Sequence, residues 1–118
     1  MNFGERFLSA PVVNIDGRRI QDHTSFHAVF QEAFGFPGFY GHNMDAWIDC
    51  MTGLDEDDGL RSITIAPGEV LTVQVDHYED LKARCPDVVI GMLECGAFVN
   101  WRRIEKGERA VLAFSFHG

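Results

Sequence analysis

The sequence predicts an α/β fold with a mostly parallel sheet. Three observations carry this. Short apolar strand-like runs alternate with helical stretches, Gly and Pro turn signals separate them, and 118 residues leave room for one domain spanning 1–118. A chain of this size buries about two thirds of the surface its unfolded form exposes, enough for a core without staples.

The elements follow in chain order. Val12, Val13 and Ile15, then Asp16-Gly17, make a strand ending in a turn. A helix is expected over Ser25 to Phe34, where Phe26, Val29, Phe30, Ala33 and Phe34 recur at helical period on one stripe. Thr24 is its expected N-cap and Gly35 its stop. Phe36-Pro37-Gly38-Phe39-Tyr40-Gly41 forms an aromatic, Gly-rich loop. A short helix over Met44 to Thr52 follows, with Asn43 as N-cap and Gly53 at its end. Asp55 to Gly59 is a turn or loop. Ile63 to Ala66 and Val70 to Val75 are strand candidates separated by Pro67-Gly68. A short helix over Asp80 to Arg84 is stopped by Pro86, and Val88 to Glu105 is mostly helical, with Gly107 beyond it. Ala110 to Phe116 is a final strand of buried composition. The order of the strands cannot be read from these patterns.

Charge narrows the function classes. The net charge is −8, and its distribution along the chain is uneven. Between Ile20 and Leu60 there is no Lys or Arg, yet eight acids occur: Asp22, Glu32, Asp45, Asp49, Asp55, Glu56, Asp57 and Asp58. The other ten acids are balanced by ten Lys or Arg, so the formal charge sits in one 41-residue segment. Such a field steers a cationic partner. It disfavours direct nucleic-acid binding, which needs a basic patch to neutralise phosphate. The acidic run Asp55 to Asp58 reads equally well as a solvated surface. No apolar run reaches the length of about 18 residues that a membrane span needs. Met1 to Ala10 lacks the continuous apolar stretch of a signal peptide. Three cysteines, Cys50, Cys85 and Cys95, form no C-x-x-C pair and read as reduced thiols, so the expected location is the cytoplasm.

The short second helix carries the chemistry. On a helical wheel Met44, Trp47, Ile48 and Met51 share a face that should be buried, while Asp45, Asp49 and Thr52 share the neighbouring one. Carboxylates at i, i+4 repel by about 0.2–0.5 kcal/mol. The helix dipole compensates Asp45 but not Asp49, which lies beyond the first turn. Two readings stay open: the face receives cations from a partner, or folding brings Arg102 or Arg103 to it as an internal salt bridge.

The segment Phe36 to Gly53 resembles the signature of the barstar family, the barnase inhibitors. There a Pro-x-aromatic-Tyr-Gly-x-Asn-apolar-Asp-Ala loop and helix ends in Asp-Cys-Leu-Thr-Gly. The similarity spans these 18 residues with conservative differences, and Thr24-Ser25-Phe26-His27 opens the preceding helix as in the family. From about Thr64 onward it is loose. The resemblance implies a barstar-like single layer of mostly parallel sheet, about three strands, packed with α-helices. It also implies a non-catalytic intracellular inhibitor of a basic barnase-type ribonuclease or related toxin, a toxin-immunity role, with no cofactor, metal, nucleic-acid or membrane partner of its own. The partner-binding residues it implies are Phe39, Tyr40, Asn43, Met44, Asp45, Ile48, Asp49, Thr52 and Gly53, with Asp49 as the central anchor. The chain departs from the pattern at Phe39, where the family usually has Tyr. Trp47 and Ile48 also stand in the opposite order, which moves the indole by about 100° around the helix. The family's late-helix acidic contact has only candidates here, Glu94 and Glu105.

Other residue constellations offer competing readings. His23 and His27 at i, i+4 suit a metal only if both lie in the helix, and His23 is expected to precede the N-cap. Cys50 beside Asp49 reads as a semi-buried structural thiol, since a neighbouring carboxylate raises its pKa; Cys85 and Cys95 read as core. An enzyme using Asp45 and Asp49 as an acid/base pair, with His42, needs a substrate-sized pocket beside them. A barstar-like module whose partner is not a nuclease shares the same acidic face.

Overall fold

The computed structural model describes residues 11–118. The stretch Met1 to Ala10, read above for targeting signals, lies outside those residues. Along the chain run β1 (Val12–Asp16), a 3-10 turn (Gly17–Arg19), α1 (His23–Phe34), α2 (Met44–Thr52), β2 (Leu71–Asp76), α3 (Tyr78–Arg84), α4 (Pro86–Glu105) and β3 (Leu112–His117). The sheet has three strands in the order β1-β2-β3, all parallel, which establishes the α/β class. Val13 pairs with Val73, and Val73 with Phe114, so inward residues of neighbouring strands stand in rows. In β2, Leu71, Val73 and Val75 are fully buried, whereas Thr72, Gln74 and Asp76 are only partly covered. That alternation belongs to a sheet with one packed face, and most parallel sheets are covered on both.

Local chemistry explains most element ends. Asp22, not Thr24, caps α1. Its carboxylate accepts the Ser25 amide at 2.8 Å, and Ser25 Oγ accepts the Asp22 amide at 3.0 Å, a reciprocal capping box. Thr24 therefore falls in the first turn, and His23 lies inside the helix rather than before it. Gly35 ends α1 in the left-handed region at φ 68°, where a Cβ would meet the Ser62 side chain at 2.2 Å. Asn43 caps α2 as expected, accepting the Ala46 amide at 2.8 Å. Pro86 stands at the first position of α4, where its missing N–H costs nothing, so it opens that helix as well as closing α3.

Two strand expectations are corrected. Ile63 to Ala66 is not a strand. It crosses the C-terminal ends of α1 and α2, where the Ser62 amide donates to Phe34 O at 2.9 Å and the Ile65 amide to Leu54 O at 2.9 Å. These amides satisfy a carbonyl left unpaired at the end of α1 and one in the turn just after α2, instead of joining a ladder. The last strand is less buried than its composition suggests. It is an edge, with Ala113, Phe116 and His117 exposed.

The core is formed where the helices meet the packed sheet face. Trp47, Phe26, Phe30 and Phe34 are fully buried, with Trp47 at 5.8 Å and 77° from Phe30. Asn100 on α4 fastens β3 through side-chain bonds to the amides of Val111 (2.9 Å) and Leu112 (3.1 Å) and to Leu112 O (3.0 Å). Gly96 lets α4 approach β3, since a Cβ there would stand 2.6 Å from the Phe114 ring.

One buried cation ties α2 to α4. Arg103 donates to both Asp55 oxygens at 3.0 and 2.8 Å, to Thr52 O at 2.7 Å and to Arg109 O at 2.7 Å, and is 4% exposed. Those bonds hold the Asp55 carboxyl below the usual carboxylate range. Asp55→Ala strips the guanidinium of its anion while leaving it buried, and is expected to cost about 3 kcal/mol of unfolding free energy. Urea denaturation followed by tryptophan fluorescence measures this; a loss below about 1 kcal/mol would show that the clamp is idle.

Candidate partner-binding surface

The loop between α1 and α2 is held from beneath. Tyr40 is buried, with its hydroxyl 2.6 Å from His27 Nδ1 on α1, and its ring packs 4.8 Å from Phe36. Gln31 donates to Pro37 O at 3.0 Å, while its carbonyl oxygen meets His42 Nε2 at 2.9 Å. His42 takes φ 52°, an uncommon backbone for a non-glycine residue, and the Gln31 and Tyr40 contacts over-determine it. These supports leave Phe39 at the tip, 79% exposed.

The residues expected to bind a partner divide in two. Phe39, Asn43, Asp45 and Asp49 are exposed, and Met44 and Thr52 are half-buried. Tyr40, Ile48 and Gly53 are buried, so they shape the surface from below. Gly53 is covered because Arg61 lies over it; a Cβ at Gly53 would meet the Arg61 guanidinium at 3.1 Å. Thr52 Oγ1 donates to Ile48 O at 2.6 Å, which turns its hydroxyl back onto its own helix. A depression of about 190 Å³ beside this face is lined by Pro37, Phe39, Tyr40, Ala46, Asp49 and Leu60, among others. Asp45 does not line it, so the acid/base pair required for the enzyme reading does not share a cavity.

The internal salt bridge left open by the sequence exists. Arg102 Nη1 meets Asp49 Oδ1 at 3.1 Å, while Arg103 turns away to Asp55. Asp45 has no ion-pair partner among the described residues. The acidic run is partly absorbed in the same way: Asp58 holds the buried Arg61 at 2.9 Å, and Asp55 holds Arg103. Sequence reasoning missed Arg61, His27 and Gln31 as supports. Only one signal pointed to them, the position of Arg61 directly after the basic-free segment.

The remaining candidates resolve simply. Burial pushes the Cys50 thiol up, with Asp49 and Asp58 adding to it, which opposes nucleophilic use. Cys85 is buried and Cys95 half-buried. Although His23 and His27 both lie on α1, His27 is buried against Tyr40 and His23 faces Asp87 at 3.6 Å. Among the described residues no group of three His, Cys, Asp or Glu side chains could hold a metal, and no helix is long and apolar enough to cross a membrane.

A family model described as Barstar (barnase inhibitor) matches residues 10–113. The chain belongs to the barstar family. It is also similar to the "Putative ribonuclease inhibitor YrdF" of Bacillus subtilis (strain 168), 41% identical over 39 residues. That similarity covers 33% of this chain and 43% of the relative. The family match extends well past Thr64, across α4 and into β3.

His27 makes the loop support sensitive to acid. Burial, with His42 and His23 adding positive charge nearby, lowers its pKa from 6.5 to about 4. The unfolded chain therefore binds the extra proton between those values, and stability falls as pH drops through that window. The loss should approach about 3 kcal/mol by pH 4 and be missing in His27→Gln. Equilibrium unfolding at a series of pH values tests this; identical pH profiles for the two proteins would refute it.

Proposed function

We propose that this protein inhibits a basic ribonuclease of the barnase type, or a related toxin, by placing loop 36–43 and α2 over its active site. The observation that carries this reading is the exposed face of α2. Asp45 and Asp49 stand one turn apart, beside a protruding Phe39, on a helix whose opposite side is locked into the core. Carboxylates there stand where RNA phosphate would, opposite the cations of the nuclease. Membership of a family described as barnase inhibitors supports the same reading. Phe39, Asn43, Met44, Asp45, Asp49 and Thr52 would touch the partner, and Tyr40, Ile48 and Gly53 would set the shape they present. The role is binding without catalysis, in the cytoplasm, as the immunity half of a toxin pair.

A second reading keeps the fold and changes the partner. Arg102 places the protein's own cation on the anchor carboxylate, and that favours a target other than a simple cationic cleft.

Titration into a barnase-type ribonuclease, with RNA cleavage measured at low and moderate salt, tests the proposal. Inhibition should weaken with salt, since exposed and steering charges are screened. Asp49→Ala should raise the dissociation constant by an amount equivalent to about 2–5 kcal/mol, a range to which complexes of this family themselves contribute. Asp45→Ala should cost less than Asp49→Ala. No inhibition at micromolar excess would remove the nuclease and leave the second reading.

A further inference from the structure

Arg102 is the one described basic residue that reaches the acidic face of α2, and its manner of doing so is informative. It contacts a single carboxylate oxygen, Asp49 Oδ1, at 3.1 Å, and among the described residues neither Oδ2 nor Asp45 has an ion-pair partner. The pair is open to solvent, with 31% of the Arg102 side chain and 68% of the Asp49 side chain exposed. The Arg102 guanidinium also lies 6.0 Å from the ring centre of Phe98, one turn earlier on α4. Arg103 cannot take its place, because its donors are committed to Asp55, Thr52 and Arg109.

An exposed, monodentate ion pair contributes little to stability. It does change what an incoming cation gains. A cation that reaches Asp49 by breaking this contact exchanges one ion pair for another, and it meets the repulsion of Arg102 as it arrives. A flexible polycation loses chain freedom at each contact and so gains little from such an exchange. A rigid site with several converging cations can engage Asp45 and the free second oxygen of Asp49 together, without first breaking the Arg102 contact at Oδ1.

We propose that Arg102 is a specificity-determining residue, an internal competitor at Asp49 that discriminates against disordered polycations and admits a preorganised cationic site. It rests on the reading of the α2 face as a cation-receiving surface, and the test separates the two. Binding of a fluorescent flexible oligoarginine peptide is measured by anisotropy at two salt concentrations. Inhibition of a barnase-type ribonuclease is measured in parallel. Both use the parent protein, Arg102→Ala, Asp49→Ala and the double variant. Arg102→Ala should bind oligoarginine about twofold to fivefold tighter, with a smaller change towards the ribonuclease. In the Asp49→Ala background the oligoarginine gain should vanish.

Equal oligoarginine affinity for parent and Arg102→Ala overturns the inference. So does a gain that survives in the Asp49→Ala background, which would reflect net charge alone. Weaker ribonuclease inhibition by Arg102→Ala would make Arg102 a support for Asp49 and likewise overturn it. If the oligoarginine pattern holds but no form inhibits the ribonuclease, Arg102 stands as an internal competitor at Asp49 while its discrimination in favour of a nuclease site, and the nuclease reading itself, fail.

Discussion

The bidentate contact between Arg103 and Asp55 is the constraint on which the candidate binding face depends. α2 is only nine residues long, too short to hold its orientation by helix formation alone. Its N-terminal end is set by the Asn43 cap, and its C-terminal end by the Arg103 bond to Thr52 O. With both ends fixed and Trp47 sunk among Phe26 and Phe30, the rotation of α2 about its axis is determined. That rotation turns Asp45 and Asp49 outward. It also aims Arg102, because adjacent helical residues point about 100° apart, so committing Arg103 to the interior swings its neighbour towards Asp49.

The sheet plays a different part. With one packed face and one partly open one, it offers a floor for the helices rather than the sealed interior usual for parallel strands. α4 can lie close to β3 because Gly96 leaves room for the Phe114 ring, and Asn100 fixes the register of that approach. The floor positions α4, α4 positions α2 through Arg103, and the candidate binding face inherits its place from both. Residues that would never touch a partner therefore decide the geometry of those that would.

The sequence was most legible where the physics is local. The apolar stripe of α1, the Asn43 cap, the buried and acidic faces of α2 and the left-handed Gly35 all depend on neighbours within a turn or two. The misjudged points need partners far along the chain. Ile63 to Ala66 has strand composition, yet its amides find Phe34 O at the end of α1 and Leu54 O in the turn after α2, which no local pattern reveals. The N-cap of α1 lies at Asp22 rather than Thr24 because Asp and Thr both cap well, and only the reciprocal bonds with Ser25 decide between starts. The choice between a free acidic face and an internal salt bridge turned on residues 53 apart, Asp49 and Arg102. Family resemblance pointed to a candidate surface, but only folding decides which of its residues are exposed and which lie beneath.

Folding also redistributes the charge that looked concentrated in one segment. Four of its eight acids, Glu32, Asp49, Asp55 and Asp58, take Arg19, Arg102, Arg103 and Arg61 as partners from outside it. The segment then carries an excess of four negative charges, and the remainder of the chain an equal excess, out of the net −8. Two properties are thereby separated. Long-range attraction of a cation depends on net charge and survives this pairing. Short-range recognition depends on carboxylates with free lone pairs, and on α2 those are Asp45 and one oxygen of Asp49. An acidic surface that left all its carboxylates free would draw cations of every kind with little discrimination. By consuming half of them in internal ion pairs, the fold keeps the attraction and reserves the contact for a small, oriented set of oxygens.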